Sequence, residues 1–147
     1  MKLLFQKTRL GAQLPFRATP ESAGADLFAC LDAPVVIAPG TTEMISLGLK
    51  CEPDTDSPAA LLIFPRSGLS SKYGITLANA VGVIDTDYRG EWFVPLHNLS
   101  DTPFTVEHGM RVAQLVAVPV HFPEILETLS VNETLRGEQG FGSTGGI

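Results

Sequence analysis

The chain has 147 residues, of which 44% are hydrophobic and 18% are charged, a balance typical of one folded domain rather than of a disordered chain. The net charge of −6 argues against bulk binding of DNA or RNA, because surfaces that bind nucleic acid are basic. No apolar run approaches the roughly 18 residues that a membrane span requires, so no membrane association is expected.

Two cysteines, Cys30 and Cys51, are too few for a disulfide framework. The first residues, MKLLFQKTR, lack the long apolar core of a secretory signal. We therefore expect reduced thiols and a cytoplasmic location, or a comparable nuclear or viral-host compartment.

Short apolar runs separated by turns follow one another along the chain. Residues 34–38 and 59–64 are continuously apolar, which predicts strands that are covered on both faces. Residues 45–51 and 92–97 alternate in hydrophobicity, which predicts strands with one buried face. Residues 110–118 form a further strand, in which Val112, Gln114, Val116 and Val118 share a face. With 14 Gly and 11 Pro marking the turns, the pattern predicts an all-β sandwich or barrel.

Helix has little room in this pattern, apart from one possible turn at residues 70–74. Residues 124–135 contain no Gly or Pro, but Thr128, Val131 and Thr134 disfavour a helix there. We expect one β domain over residues 1–135. The remaining residues, 136–147, include five glycines and one aromatic residue, and are expected to form a mobile C-terminal arm.

Five segments place polar residues where the apolar pattern does not require them. In residues 22–29 (SAGADLFA), Asp26 either makes a turn or has a functional role. In residues 65–75 (PRSGLSSKYGI), Arg66, Ser67 and Gly68 form either a phosphate cradle or a solvated turn. In residues 109–116 (GMRVAQLV), Gln114 is either a satisfied core amide or an amide that orients a water or a phosphate.

The other two segments are richer in chemistry. Residues 79–92 (NAVGVIDTDYRGEW) read as a β-hairpin with acids at its tip, and carry more polar side chains than a turn alone needs. Residues 136–145 (RGEQGFGSTG) are either a lid with a stacking ring or a disordered tail. Half of the ten basic residues lie within these segments, as an anionic substrate would require: Arg66, Lys72, Arg89, Arg111 and Arg136.

In this order, the five segments resemble the five motifs of the trimeric dUTP pyrophosphatases (dUTPases). The resemblance implies a β jelly roll, and a homotrimer whose active sites are each shared among the three chains. It also implies hydrolysis of dUTP to dUMP and pyrophosphate by attack of water on the α-phosphate, with Mg²⁺ on the triphosphate. That reaction limits uracil incorporation into DNA and supplies dUMP for thymidylate synthesis.

The resemblance also assigns roles to individual residues. Asp85 matches the carboxylate that activates the attacking water, Gln114 the amide that orders it, and Asp26 a residue that contacts Mg²⁺ through water. Tyr88 matches the ring that packs on the deoxyribose. The remaining matches bind phosphate or uracil, directly or through the backbone: Arg66, Ser67, Gly68, Asn79, Val83, Ile84, Arg136, Phe141, Gly142, Ser143 and Thr144.

Two alternatives share this scaffold. A dCTP deaminase has the same fold, but its hairpin usually lacks the pair formed here by Asp87 and Tyr88. A catalytically silent nucleotide-binding or regulatory module has no need of Asp85, Gln114 and Phe141. The sequence departs from the family pattern at Gln139 and Ala25, neither of which is assigned to catalysis.

Overall fold

The computed structural model describes residues 1–54 and 59–138, and within these ranges almost every regular element is a strand. One short helix is present there, α1 (Ser67–Tyr73). The strands are β1 (Leu3–Lys7), β2 (Ala25–Phe28), β3 (Val35–Ile37), β4 (Thr42–Ser46), β5 (Leu49–Pro53), β6 (Ala59–Pro65), β7 (Ile75–Leu77), β8 (Gly82–Ile84), β9 (Phe93–Asn98), β10 (Phe104–Val106) and β11 (Arg111–Pro119). The prediction of an all-β protein is confirmed.

The strands form small antiparallel sheets that join distant parts of the chain. The four-stranded sheet has the order β2-β11-β6-β8, and the three-stranded sheet the order β4-β9-β7. Two strand pairs, β1-β5 and β10-β3, complete the fold. Because successive strands repeatedly change sheet, the architecture is of the jelly-roll kind and not a meander.

The core lies between the sheets and is built from alternate residues. Trp92, Val94 and Leu96 are each 1% exposed, as the alternation in residues 92–97 predicts. The ring of Trp92 meets Phe5 of β1 edge to face, with centroids 5.4 Å apart, an arrangement that aromatic pairs favour. The N-terminal strand is therefore packed onto the residue that precedes β9.

The single strand predicted over residues 45–51 is wrong, because two strands meet there. β4 ends at Ser46 and β5 begins at Leu49. Gly48, between them, has a φ of +63°, and a Cβ at this position would lie 2.9 Å from Sγ of Cys30. Only glycine combines this backbone conformation with so close an approach, so the chain bends where the alternation alone indicated continuity.

The β-hairpin predicted over residues 79–92 is also wrong. β8 pairs with β6, while β9 pairs with β4 and β7 in a different sheet. The segment from Asp85 to Trp92 therefore crosses between two sheets instead of closing a hairpin. Strand pairing depends on distant partners, which a local alternation of residues does not specify.

The strands of the two apolar runs, residues 34–38 and 59–64, are not covered on both faces as predicted. Val36 in β3 is 57% exposed, and β6 alternates between buried and half-buried side chains. In β11 a register shift lies between Arg111 and Ala113, and it leaves Val112 buried while Gln114 on the expected common face is half-buried. The face predicted for residues 112–118 is thus interrupted at its start.

The helix begins earlier than the single turn predicted at residues 70–74. It opens at Ser67 and ends before Gly74, whose φ of +67° and backbone N–H to Ser70 C=O form a left-handed C-cap. Residues 120–138 form no helix or strand, and the absence of a helix agrees with the β-branched residues found there. Among the described residues, no helix has the length and apolarity needed to cross a membrane.

Candidate active site

A charged cluster forms on the four-stranded sheet around Asp26. Nε of Arg66 donates to Oδ1 of Asp26 over 2.8 Å, and Nη1 of Arg111 donates to Oδ2 over 3.2 Å. Both oxygens of Asp26 are therefore held by guanidinium groups. The Asp26 side chain is also only 13% exposed. We name Asp26, Arg66, Arg111 and Gln114 the arginine cluster.

Gln114 joins this cluster through the register of the sheet. It lies opposite Asp26 on β2 and opposite Phe64 on β6. Its Nε2 donates to the carbonyl oxygen of Pro65 over 3.0 Å. Its Oε1 faces Gly24 so closely that a Cβ at Gly24 would overlap it. The amide is therefore fixed on both sides, with the polar partner that a half-buried amide needs.

The segment after β6 places beside the cluster the residues that were predicted to form either a phosphate cradle or a solvated turn. Arg66 is the N-cap residue of α1 but makes no side-chain cap, because its guanidinium contacts Asp26 instead. Ser67 and Gly68 are exposed at the start of α1, and a Cβ at Gly68 would meet nothing within 4 Å. The first N–H groups of a helix have no partner within it, so this turn presents backbone donors to an open surface.

A second group of predicted residues surrounds β8. A small pocket of about 130 Å³ is lined by Asn79, Val83 and Ile84, together with apolar side chains of β6, β7 and β9. Ala80 has a φ of +60°, and the N–H of Val81 bonds to the carbonyl of Asn79 over 2.6 Å. A non-glycine residue held in this conformation is strained, a feature that concentrates at functional sites.

Asp85 and Tyr88 lie in the crossing segment that follows β8. Both side chains are exposed, and they line the same cavity of about 300 Å³. The N–H of Tyr88 donates to the Asp85 carbonyl over 3.2 Å, and its hydroxyl donates to the Glu91 carbonyl over 3.1 Å. A Cβ at Gly90 would overlap the Tyr88 hydroxyl. Because Gly90 has no side chain, the Tyr88 ring can pack against the backbone of residues 88–91.

One chain does not bring the two groups together. Gln114 lies opposite Phe64, whereas Ile84 lies opposite Leu61. Asp85 follows Ile84 directly, and is thus two strands across the sheet from Gln114 and about four residues along it. With strands about 4.8 Å apart and a rise of about 3.3 Å per residue, the separation is about 16 Å.

Other predicted residues fall at the C-terminal end. Arg136 is exposed in the last described stretch. Phe141, Gly142, Ser143 and Thr144 lie outside the described residues.

Sequence reasoning missed three features of the site. The sequence identified Arg111 only as one of several cations, although it bonds to Asp26. It gave no sign of the close approach of Gly24 to the Gln114 amide. Glu91 was not singled out, yet its carboxylate is only 19% exposed and accepts several hydrogen bonds. An acid directly before the buried Trp92 was the available signal.

No group of three or more His, Cys, Asp or Glu side chains suited to a metal ion occurs in residues 1–54 and 59–138. Asp26 is the single carboxylate of the arginine cluster, and both its oxygens are already engaged. The part of the chain described here therefore offers no dedicated cage of protein ligands.

The fold and the site define a class: an all-β protein that presents guanidinium, amide and backbone donors side by side on its four-stranded sheet. The dUTPase family model matches residues 11–145. The deoxyuridine 5'-triphosphate nucleotidohydrolase of Ralstonia nicotianae is 48% identical over 137 residues, covering 93% of this chain and 92% of the relative. The enzyme of the same name from Tolumonas auensis is 46% identical over 147 residues, covering 99% and 97%. The chain belongs to the dUTPase family.

Solved structures agree with this assignment. The dUTPase of Staphylococcus bacteriophage 80alpha, solved with dUpNHpp, has a TM-score of 0.87 and 26% identity, and the match covers 98% of both chains. The dUTPase from phage phi11 of S. aureus has a TM-score of 0.80 at 21% identity, covering 91% of this chain and all of that one. The second likeness shows the shared fold, which confirms the predicted jelly-roll architecture.

Proposed function

We propose that the chain hydrolyses dUTP to dUMP and pyrophosphate, by attack of water on the α-phosphate, at sites shared between copies of the subunit. As a member of the dUTPase family it is an enzyme, a dUTP diphosphatase. The observation that carries the proposal is the family match over residues 11–145, which includes every residue assigned to the site. A dCTP deaminase or a silent binding module has no comparable support.

The phosphates bind at the arginine cluster and the turn that follows β6. Arg66 is held by Asp26 at 2.8 Å, so its direction is set before substrate arrives. Ser67 and Gly68 supply a hydroxyl and backbone N–H donors. Phosphoryl transfer depends mainly on positioning and neutralisation of charge, and both are available on this surface.

Water activation requires a base and an orienting group. The exposed carboxylate of Asp85 accepts the proton of the attacking water, and the Gln114 amide orders that water against the α-phosphate. Fixation of Gln114 by Pro65 at 3.0 Å supports this role, because a preset donor costs no reorganisation during the reaction.

Uracil and deoxyribose bind around β8. The pocket lined by Asn79, Val83 and Ile84 takes the base, whose edge bonds to the Asn79 side chain and to backbone groups from Val83 onward. The ring of Tyr88 packs on the sugar, where a 2′-hydroxyl would clash. Selectivity then comes from shape and from hydrogen bonds that competing nucleotides leave unmade.

Mg²⁺ would be held mainly by the substrate's phosphates, with Asp26 reaching it through water. A single carboxylate already bonded to two arginines fits an outer role of this kind and not direct coordination. Mg²⁺ retains several waters and binds through few protein groups at triphosphate sites. When bound, the ion would neutralise phosphate charge.

The assembly is a homotrimer in which each site uses more than one copy. The separation of about 16 Å between Asp85 and Gln114, taken from sheet geometry, supports sharing, since both act on one water. A run of exposed apolar side chains also needs a partner: Phe122, Ile125, Leu126, Leu129, Val131 and Leu135.

Residues 136–147 would act as an arm that closes over the bound nucleotide. The family match continues to residue 145, which includes the arm's proposed ligands. Phe141 would cover uracil, while Arg136, Gly142, Ser143 and Thr144 would bind the outer phosphates. The two free, buried cysteines of the described chain support a reducing, cytoplasmic setting.

The test is pyrophosphate release from dUTP, compared with UTP and dTTP. Asp85→Asn should retain dUTP binding and lose turnover by orders of magnitude, because the water loses its base. Asp101→Asn, at another exposed turn, is the matched control and should behave as the parent. Ammonia release from dCTP, or normal turnover by Asp85→Asn, would contradict the proposal.

Assembly and the arm are tested separately. Light scattering should give a mass of about 47 kDa, three times the chain mass of 15.7 kDa, and a monomer would contradict the shared site. Deletion of residues 136–147 should leave a folded trimer with little activity. Full activity after this deletion would remove the arm from the mechanism.

A further inference from the structure

The carboxylate of Glu91 ties together three separate parts of the chain. Its Oε2 accepts from the hydroxyl of Thr8 at 2.7 Å. Its Oε1 accepts from Nε of Arg9 at 2.9 Å and from Oγ of Ser46 at 2.7 Å. Thr8 and Arg9 directly follow β1, and Ser46 ends β4. One side chain thus joins the N-terminal segment and a second sheet to the crossing segment.

This anchor is mostly screened from solvent. The Glu91 side chain is 19% exposed, and Ser46 is 4% exposed. Oγ of Ser46 also accepts the N–H of Gly48 over 3.1 Å, so the bend between β4 and β5 shares the network. Hydrogen bonds to a charged acceptor are stronger than neutral ones, and the network therefore restrains the Glu91 backbone.

The backbone of the same residue sets the ring of Tyr88. The Tyr88 hydroxyl donates to the Glu91 carbonyl over 3.1 Å, and a Cβ at Gly90 would overlap that hydroxyl. The next residue, Trp92, is 1% exposed, and its backbone N–H donates to the Leu49 carbonyl over 2.8 Å. The Tyr88 ring is therefore positioned by the Glu91 carbonyl. That carbonyl is held in place by the buried Trp92 next to it and by the hydrogen bonds of the Glu91 carboxylate.

We propose that Glu91 is a positioning residue for sugar selectivity, acting through Tyr88. This role rests on the proposed function, in which the Tyr88 ring excludes a 2′-hydroxyl. Glu91 touches no substrate in this scheme. It holds the carbonyl that bonds to the Tyr88 hydroxyl, and loss of the carboxylate network releases the ring from the position that excludes ribose.

The experiment measures kcat/KM for dUTP and for UTP in the full-length enzyme. Glu91→Ala removes every acceptor, and should lower the dUTP-to-UTP selectivity about tenfold or more, the size of effect expected when one positioned contact is lost. Glu91→Gln keeps one oxygen for Arg9 and Ser46 and places an amide beside Thr8, whose hydroxyl can accept. It should therefore retain most of the selectivity.

Two further variants separate positioning from general damage. Tyr88→Phe removes the hydroxyl but keeps the ring, so adding Glu91→Ala to it should cost much less selectivity than Glu91→Ala does alone. Glu52→Ala changes an exposed acid on β5 and should leave selectivity unchanged. If Glu91→Ala does not fold, Thr8→Val and Ser46→Ala each remove one of the hydrogen bonds that Glu91 accepts, and each should lower selectivity by a smaller factor. Ser46→Ala also removes the acceptor of the Gly48 N–H, so Thr8→Val is the cleaner of the two.

The outcomes distinguish this inference from the proposed function. A parent protein without dUTP hydrolysis would overturn both. A selective parent whose folded Glu91→Ala variant keeps the same dUTP-to-UTP ratio would overturn the positioning role alone. The same conclusion follows if Glu91→Ala and Tyr88→Phe lower selectivity independently, so that their effects multiply, or if Thr8→Val and Ser46→Ala leave it unchanged.

Discussion

Arg66 and Asp26 form a 2.8 Å hydrogen-bonded ion pair across forty positions of sequence. Arg66 follows β6 and Asp26 lies in β2, with β11 between them in the sheet. The pair therefore spans a central strand, and Arg111 of that strand bonds to the second oxygen of Asp26 at 3.2 Å. One carboxylate orients two guanidinium groups on the face assigned to phosphate.

Asp26→Asn should destabilise this arrangement without removing a side chain. An amide turns an N–H toward one of the two arginines, where the carboxylate had accepted a hydrogen bond. We expect a loss of about 1–3 kcal/mol in the free energy of unfolding, the cost of a half-buried group left without its partner. Urea unfolding measures this loss of stability. Because Asp26 is proposed to reach Mg²⁺ through water, the variant should also need more Mg²⁺ for half-maximal activity.

The matched control for this variant is Asp32→Asn. The Asp32 side chain is 99% exposed and lies 3.8 Å from Arg9, so its ion pair is weak. Stability should change by less than about 0.5 kcal/mol. Equal losses of unfolding free energy in the two variants would show that the arginine cluster stabilises the fold no more than an exposed ion pair does.

Gly24→Ala should disturb catalysis through Gln114. A Cβ at Gly24 would overlap Oε1 of Gln114, so the amide must move away from the position set by Pro65. We expect kcat to fall about tenfold or more with a smaller change in KM, because the role proposed for the displaced amide is exerted in the transition state. Steady-state kinetics on folded protein measures both constants.

The double variant of Gly24→Ala and Gln114→Ala provides the internal control. If the methyl acts only by displacing the amide, it should add little once the amide is gone. Losses in kcat that multiply would instead indicate that Gly24 contributes independently of Gln114.

Local pattern predicted strands better than it predicted their partners. Trp92, Val94 and Leu96 were found by alternation because burial of one face is a local property of a strand. The change of sheet between Asp85 and Trp92 was missed because register and pairing are set by tertiary packing. For the same reason, Asp26 and Gln114 were each recognised alone, while their opposite positions in the sheet and the pairing of Asp26 with two arginines were not.

Acid should weaken the fold through Glu91. The hydrogen bond from Thr8, followed by those from Ser46 and Arg9, holds the pKa of Glu91 below its ordinary value of 4.5 against the opposing effect of burial. Because the native pKa is the lower one, the unfolded chain binds this proton first as the pH falls. The stabilisation is complete at neutral pH, declines below about pH 4.5 and is lost below the native pKa.

Urea unfolding between pH 7 and pH 3 measures this dependence. Glu91→Gln cannot titrate, so its free energy of unfolding should fall less steeply over the acid range than that of the parent. Glu52→Gln changes an exposed acid and should follow the parent curve. Parallel curves for the parent and Glu91→Gln would exclude Glu91 as a source of the acid sensitivity.

Both thiols should be inert in the native protein. Cys30 and Cys51 are each 3% exposed, and burial raises the pKa of Cys51 to about 11 and that of Cys30 above its ordinary value of 9.0. Because the thiolate is the reactive form, a pKa near 11 leaves about one Cys51 in a thousand reactive at pH 8. Titration with a disulfide reagent should detect neither thiol until urea unfolds the chain, when both should react. Rapid modification of the folded protein would show that the β4–β5 bend beside Cys30, or β5 itself, opens on the timescale of the reaction.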